Sequence, residues 1–383
     1  MKYLINVCGH KDKKRFIIIQ IMTIFVELMP QQLTIKQIAQ LAGVSAGTVD
    51  RVLHNRGKVS PAALAAVQEV LSAQSYKSNL HTSAVAYKKT KKSIRLIVSI
   101  PSSEKGEYWD LIRRGIDKGL VEYGDFHIET QYRFFDQFNS LSCRQAFEDI
   151  AEENCSAVIL GTTYVEETRT LCQRLSERRI PYFFVDGSVS GTRPVTACKA
   201  DQEACGRLLA RLMDGLTPAG KALALLHPRR IGTQISNNSA ARMTAFKAYF
   251  KEKGGGRAIH ESLFSTGSAD ETRTEVQSFL KRNPDVGGIA VVISTSYLIS
   301  DALKADGIGG IVVGGFDITD GNARCIREGT LDFLIDQHPE RQGFNAVEAT
   351  LHYLIYGAPD RSAGGYLPID IVFKENLPFL QEG

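Results

Sequence analysis

The sequence predicts an α/β protein, in which an N-terminal all-α head precedes a two-lobed α/β body with parallel sheets. The head is predicted because apolar residues recur at helical spacing between residues 34 and 74. The body is predicted because continuous apolar runs alternate with amphipathic segments from Ser93 onward, a pattern typical of parallel strands buried on both faces. The body is long enough for two such sheets, so we expect one in each lobe.

Positive charge is concentrated in the N-terminal quarter of the chain. Residues 31–95 hold ten Lys and Arg residues against two acidic residues, although the net charge of the whole 383-residue chain is only +4. The residues after this segment are therefore acidic on balance. A basic head on an acidic body indicates a polyanionic partner that binds the head alone.

The motifs that carry metal binding or catalysis do not occur in this sequence. The seven cysteines include no C-x-x-C pair and the eight histidines show no ligand spacing, so we expect no metal, and reduced thiols in a cytosolic protein. No nucleophile elbow, zinc-protease motif, phosphate-binding loop or dinucleotide-binding motif is found. The sequence therefore indicates neither an enzyme nor a cofactor.

Residues 1–30 form an extension whose apolar run, residues 16–29, follows a basic cluster. A membrane span needs about 20 apolar residues, and Glu27 interrupts this shorter run. The run ends without the small residues of a signal-peptide cleavage site. We therefore expect no association with a membrane and favour translation from Met29, with an ordered or membrane-associated extension as the alternative.

The sequence of residues 31–78 predicts three short helices. Thr34, Ser45 and Ser60 are suited to N-caps, and each precedes a run with helical apolar spacing. Gly43 supplies the turn between the first two helices, and Pro61 fits the first position of the third. A helix, a short turn and a second helix form a helix-turn-helix unit, whose second helix enters the major groove of DNA. The alternative is a three-helix protein-binding domain, which the basic charge disfavours.

The head resembles that of the LacI-type (lactose repressor/GalR) family of bacterial regulators. The resemblance lies in TIKQIA at 34–39, AGVS at 42–45, TVDRVL at 48–53, VS at 59–60 and YKSN at 76–79, and covers about 45 residues. It implies that the head is a helix-turn-helix DNA-binding domain. It also implies that a homodimer binds a double-stranded DNA operator.

The resemblance assigns roles to residues of the head. Ala46 and Gly47 fall where the family varies the side chains that select bases, and Arg51 matches its base-reading arginine, which suits guanine O6 and N7. Asp50 stands where the family usually has serine, and it would repel phosphates unless Arg51 or a base amino group pairs with it. The residues expected to contact phosphates or cap helices are Thr34, Ser45, Thr48, Asn55 and Ser60.

Residues 79–92 correspond to the hinge of the family, which folds into a short helix only when two subunits lie on DNA. Asn79 begins this stretch and is expected to contact DNA. Val85 holds the position of an apolar wedge that enters the minor groove, where leucine is usual, so we expect a milder kink. The alternative is a plain flexible linker.

The body, residues 93–383, resembles the ribose-binding type of periplasmic sugar-binding protein and the sensor domain of LacI-type regulators. We expect a first lobe of about 93–199 plus about 335–357, and a second lobe of about 200–334 plus the C-terminal segment. Ligands of such folds bind beyond the carboxyl ends of strands, here in a cleft between lobes. The predicted strands are 94–100, 157–161, 182–185, 222–227, 288–293 and 311–316.

The same resemblance marks candidate ligand residues. Tyr108 and Trp109 match the aromatic pair that stacks on a sugar ring, and Arg242 matches an arginine that holds sugar hydroxyls. Trp109 could instead belong to the lobe core, and Arg242 to a salt bridge. The positions expected to bind hydroxyl groups at strand ends or at the lobe crossover are Asp186, Asp317 and Gln337.

Two features leave the ligand's identity open. Ser294, the seventh candidate ligand residue, stands where the family usually has asparagine, so the usual sugar preference does not carry over. Arg229 and Arg230 lie beyond a strand end, which leaves a sugar phosphate or acid possible. Asp186 and Asp317 could also cap helices rather than contact a ligand.

The sequence thus predicts a cytoplasmic, ligand-responsive transcription regulator, favouring a repressor of carbohydrate-uptake or catabolic genes. Its small-molecule effector, a sugar or sugar derivative, is expected to bind between the lobes and alter hinge and dimer geometry. The alternative is a solute-binding or chemoreceptor protein that uses only the cleft.

Overall fold

The computed structural model describes residues 35–53, 59–73, 93–232, 236–359 and 364–380. The chain separates into two compact units, Met1–Ser83 and Ala84–Gly383. The predictions for the extension 1–30, for the hinge 79–92 with Val85, and for Thr34, Asn55 and Asn79 lie outside the described residues.

The described part of the head consists of three helices: α1 (Ile35–Leu41), α2 (Ala46–Leu53) and α3 (Pro61–Ala73). Each helix places an apolar side chain in a small shared core, which contains Ile38, Val49 and Val67. Gly43 joins α1 to α2 with φ +64°, a left-handed conformation that glycine adopts without a steric penalty. The predicted three-helix arrangement is therefore confirmed.

The first lobe of the body is built on a six-stranded parallel sheet. Its strands are β1 (Ile94–Pro101), β2 (Ile128–Phe135), β3 (Ala157–Gly161), β4 (Tyr182–Asp186), β5 (Ala197–Lys199) and, from near the C terminus, β11 (Gly365–Tyr366). Their spatial order is β11-β5-β4-β3-β1-β2. Its helices are α4 (Tyr108–Glu122), α5 (Ser140–Glu152), α6 (Val165–Glu177) and α12 (Pro339–Tyr356).

The second lobe repeats this plan with one antiparallel edge. Its strands are β6 (Ala222–Pro228), β7 (Ile259–Phe264), β8 (Val286–Val291), β9 (Val312–Phe316), β10 (Phe333–Asp336) and β12 (Asp370–Val372). Their order is β12-β10-β9-β8-β6-β7, and only the β10–β12 pair is antiparallel. Its helices are α7 (Gln202–Leu216), α8 (Asn237–Glu252), α9 (Ala269–Arg282), α10 (Ser296–Ala305), α11 (Asp320–Glu328) and α13 (Leu377–Leu380).

Both sheets are covered on two faces, which explains their continuous apolar strands. In β1, Leu96 and Val98 pack on the side of α4 and α12, whereas Ile97 packs on the side of α5 and α6. A strand buried in this way is expected to be a nearly continuous apolar run, and in β1 only Arg95 and Ser99 interrupt it. The predicted α/β class with two parallel sheets is confirmed.

The chain passes between the lobes at residues 200–201, 337–338 and 367–369. β10 belongs to the second sheet and α12 packs on α4 of the first lobe, so the return to the first lobe follows Asp336, close to the expected boundary of about residue 335. Part of the C-terminal segment, β11, pairs with β5 in the first sheet. The expectation that the C-terminal segment lies in the second lobe therefore needs this correction, because a two-residue strand carries no apolar pattern.

None of the helices in the described ranges has the length and apolarity needed to cross a bilayer.

Helices α4 and α12 cross with their backbones in direct contact. A Cβ atom added to Gly343 would overlap the carbonyl oxygen of Ile112, and one added to Gly115 would overlap the carbonyl oxygen of Glu340. Only glycine fits where two helix backbones approach this closely. These two glycines therefore fix α12, which follows the lobe crossing, onto the first lobe.

We expect Gly343→Ala to lower the free energy of unfolding by about 1–3 kcal/mol, since the added methyl forces the two helices apart. Urea unfolding measures this change. Gly215→Ala in α7 is the matched control, because a Cβ there meets no atom within 4 Å. The free energy of unfolding of this control should be about 0.5–1 kcal/mol higher than that of the wild type, because alanine has a higher helix propensity than glycine. Equal stability of Gly343→Ala and the wild type would contradict the close crossing.

Candidate ligand cleft and nucleic-acid interface

A cavity of about 390 Å³ lies between the two lobes of the body. The carboxyl ends of parallel strands from both sheets meet there, as expected for doubly wound folds. Ser102 follows β1, Asp186 ends β4, and Ser294 follows β8. The volume lies within the range of small-molecule sites.

The structure brings five of the seven predicted ligand residues to the wall of this cavity. They are Tyr108, Trp109, Asp186, Arg242 and Ser294. Asp317 and Gln337 do not line it; both are fully buried and touch the side chains that do. The geometry groups all seven, and their roles toward a ligand remain predictions.

Asp186 presents a carboxylate at the end of β4. Its φ of +76° is left-handed, a conformation that aspartate tolerates better than most residues. Tyr108 Oη donates a hydrogen bond of 2.5 Å to Asp186 Oδ1. Burial raises the pKa of Asp186 to about 6, against the opposing effects of this hydrogen bond and of the Arg242 charge. An ionised carboxylate beside a cavity is a strong acceptor for ligand hydroxyls.

A hydrogen-bonded chain runs from Asp317 to Arg242. Ser294 Oγ and Gln337 Nε2 donate to Asp317 Oδ2 at 2.6 and 2.9 Å. Arg242 Nη2 donates to Gln337 Oε1 at 2.6 Å, and Arg242 Nε donates to Gln202 Oε1 at 2.7 Å. Gln337 lies in one lobe crossing and Gln202 directly follows another. The polar groups at the cavity are thus connected to the segments about which the lobes would move.

The structure decides between the alternative roles given above for the two aspartates, Arg242 and Trp109. Helices α7 and α11 are capped by Asp201 and Thr319, so neither Asp186 nor Asp317 caps them. Arg242 bonds to amide and carbonyl oxygens instead of forming a salt bridge within the described residues. Trp109 belongs to the first-lobe core and also lines the cavity, and its Nε1 donates to Gln137 Oε1 at 3.2 Å.

Sequence reasoning missed several polar residues at this site. Gln202 begins α7 after a lobe crossing, Gln137 lies in the loop that follows β2, and Asn238 lies in α8; no motif marks any of them. Asn238 Nδ2 donates to the Asp186 carbonyl oxygen at 3.2 Å. The only available signal was position, since Asn238 lies in the first turn of a helix that follows a buried strand.

In the head, α2 presents the residues predicted to read bases. Ala46, Gly47 and Arg51 are exposed, while Val49 on the opposite face is buried. Arg51 Nε donates to the Gly47 carbonyl oxygen at 3.0 Å, which holds the side chain along the helix. Thr48 and Asp50 are half-buried beside them.

Two predicted caps are present in the head. Ser45 Oγ accepts from the Thr48 amide at 3.1 Å, and Ser60 Oγ accepts from the Ala63 amide at 3.3 Å. Both serines are exposed. Their predicted contacts with phosphate stay predictions.

Comparison with known families agrees with both halves of this description. Residues 96–358 match the family described as periplasmic binding protein domain, and residues 34–79 match that of bacterial regulatory proteins, lacI family. The chain belongs to the periplasmic binding protein domain family and carries a LacI-type head. The resemblance on which the sequence analysis rests is thereby confirmed.

Curated relatives of this LacI-type chain include both regulators and binding proteins. The HTH-type transcriptional regulator GalR of Escherichia coli is 30% identical over 135 residues, which is 35% of this chain and 37% of GalR. The xylose/arabinose-binding protein XylF of Sulfolobus acidocaldarius is 28% identical over 159 residues, 40% of this chain and 38% of XylF. The chain thus spans less than two-fifths of the length of these relatives.

Solved structures similar to the LacI-type chain cover most of its length. A putative LacI transcriptional regulator from Bacteroides fragilis has a TM-score of 0.70 and 26% identity, over 75% of this chain and 99% of that one. GanP, a glucose-galactose binding protein from Geobacillus stearothermophilus, has a TM-score of 0.64 at 16% identity, over 75% and 99% of the two chains. The second likeness shows the fold alone.

Proposed function

We propose that this LacI-type chain is a cytoplasmic, ligand-responsive regulator that binds a DNA operator as a homodimer. The observation that carries the proposal is that one chain combines an exposed recognition helix on a basic head with a polar cleft between two lobes. We propose that it acts as a repressor of carbohydrate-uptake or catabolic genes. GalR, which is named as a transcriptional regulator, supports this assignment.

The coupling of ligand to DNA is proposed to pass through the lobe crossings. Gln202 Nε2 donates to Gln337 Oε1 at 2.9 Å, and Gln342 Nε2 donates to the Gln337 carbonyl oxygen at 2.9 Å. Gln342 Oε1 also accepts from the Asp186 amide at 3.1 Å. A ligand that contacts Asp186 and Arg242 would therefore favour one lobe arrangement over another, and a ligand shifts an equilibrium only by such differential contacts.

A binding protein without a DNA role is the second candidate. XylF and GanP, which are named for the sugars that they bind, share parts of the sequence or the fold. The basic head argues against this reading, because a receptor that uses only the cleft has no need of it. We also propose that the chain is not an enzyme, since neither histidine nor cysteine lines the cavity within the described residues, and no serine–histidine or cysteine–histidine pair is therefore formed there.

Gel-shift titrations of the full-length protein test the proposal. The probes are duplex DNA from upstream of its own gene and random duplex DNA of the same length, each over a range of salt concentrations. We expect salt-sensitive binding to both, with a preference of about 10³-fold or more for the upstream DNA. Absence of salt-sensitive affinity for the upstream DNA, with and without sugars, would refute the regulator and leave the binding protein.

A further inference from the structure

Two consecutive arginines that follow β6 have different surroundings. Arg229 Nη2 pairs with Glu275 at 2.7 Å on the surface of the second lobe, and its side chain is 58% exposed. Arg230 is only 8% exposed and lines the cavity between the lobes. In the sequence, both arginines left a charged ligand possible. Of the two, only Arg230 lines the cleft in the structure.

Arg230 is a buried cation whose partners in the described residues are neutral. Its Nη1 donates to the Gln137 carbonyl oxygen and to Tyr164 Oη, the latter at 3.4 Å. Its guanidinium lies over the rings of Phe138 and Tyr164, 5.2 and 5.8 Å from their centroids. No carboxylate of the described residues lies within ion-pair distance of it, and its Nε has no hydrogen-bond partner. Burial lowers the pKa of Arg230, as expected for a cation removed from water, against the opposing effects of Tyr164 and of the Asp136 carboxylate, which forms no ion pair with it.

Other donors lie at the same end of the cavity. Thr163, the neighbour of Tyr164, also lines the cavity, and its buried Oγ1 has no partner. The Thr163 carbonyl oxygen accepts from the Asn237 amide at 3.1 Å, which places the first residue of the sixteen-residue helix α8 beside it. Ser236 caps α8 and lines the same cavity. A helix N-terminus next to a guanidinium that forms no ion pair favours a bound anion.

The carboxylates that line the cavity have other surroundings. Asp186 accepts from Tyr108, and Glu107 is hydrogen-bonded by Tyr297. Glu104 is exposed to solvent. None of these groups neutralises Arg230. A buried cation without an anion is unfavourable, so an incoming anionic group would gain more here than in water.

We propose that the cleft binds an anionic carbohydrate derivative whose carboxylate or phosphate lies against Arg230 and Thr163 at the N-terminus of α8. Its hydroxyl groups would then face Asp186, Arg242 and Ser294. A guanidinium suits both anions because it can donate two parallel hydrogen bonds to either. This inference rests on the proposed ligand-responsive function and specifies the class of its effector.

Calorimetric titration of the full-length protein tests the inference. Glucose, galactose and fructose are each compared with a sugar-acid derivative and a phosphate monoester of the same sugar. We expect at least one charged derivative to bind ten-fold or more tightly than its neutral parent, and the better of the two derivatives identifies the anion. Tighter binding of the neutral parents, or binding of no charged derivative, overturns the inference whatever the variants do.

Two matched variants assign the effect to Arg230. Arg230→Gln should abolish the preference for the charged derivative, whereas Arg229→Gln removes the same charge from the surface and should preserve it. An unchanged preference in Arg230→Gln also overturns the inference. If neutral sugars bind and change the affinity for the upstream DNA, the proposed regulator is supported and the anionic effector is refuted. If charged derivatives bind and the protein has no affinity for DNA, the proposed function fails and the anionic site stands.

Discussion

Arg51→Ala should weaken binding to the operator by about 1–3 kcal/mol and leave binding to random DNA nearly unchanged. Arg51 is exposed on α2, and its Nε bond to the Gly47 carbonyl oxygen limits the directions that its guanidinium can take. The neighbouring Ala46 and Gly47 offer no side-chain hydrogen bonds, so Arg51 is expected to carry much of the base recognition. Gel shifts with operator and random duplexes measure both affinities.

Lys36→Ala is the matched control for Arg51→Ala. Lys36 is exposed on α1 and carries the same charge as Arg51. Its removal should weaken binding to operator and random DNA alike, and should reduce the salt dependence of binding by no more than the loss of about one phosphate contact. The two variants therefore separate base reading from general electrostatic attraction. If Arg51→Ala lost equal affinity for both duplexes, Arg51 would be a phosphate contact and the operator would be read elsewhere.

Asp186→Asn should lower the affinity for the effector by about 10- to 100-fold and preserve DNA binding without ligand. The variant loses the charge that strengthens hydrogen bonds to ligand hydroxyls, which contribute about 1.5–3 kcal/mol each. Asparagine keeps an oxygen for the Tyr108 hydroxyl and tolerates the left-handed backbone at this position. The effect of ligand on operator binding should therefore require higher ligand concentrations than in the wild type.

Asp306→Asn makes the same chemical change away from the cleft, at a carboxylate that pairs with Arg273. It should leave ligand affinity and operator release unaltered. Calorimetry measures the affinity, and gel shifts with added ligand measure the release. Wild-type ligand affinity in Asp186→Asn would show that this carboxylate does not contact the effector.

The sequence predicts the three middle strands of each sheet and misses the strands on either side of them. β1, β3, β4, β6, β8 and β9 are buried on both faces and read as apolar runs. β2 and β7 are edge strands with alternating or partial burial, so residues such as Thr130 and His260 interrupt the apolar pattern. β5, β10, β11 and β12 have two to four residues each, too few for a pattern to be recognised.

The candidate site could be predicted only where strand ends define it. Asp186 and Ser294 follow or end buried strands, which places them at the cleft in any fold of this class. The depth of Asp317 and Gln337 beneath the cavity depends on how closely the lobes approach, and this cannot be read from local sequence. The isolation of Arg230 and the pairing of Arg229 likewise depend on tertiary contacts.

The order in which the chain visits its lobes bears on synthesis. The first lobe lacks α12 and β11 until residues 339–366 have emerged from the ribosome, so the side of β1 and β4 that packs on α12 stays only partly covered until then. The contacts within the head join residues close in sequence, and such contacts form early. A polypeptide that stopped before Pro339 would possess every described helix of the head and neither finished lobe. Premature termination would thus yield a fragment that keeps the proposed DNA-binding helices and lacks the cleft proposed to bind the effector.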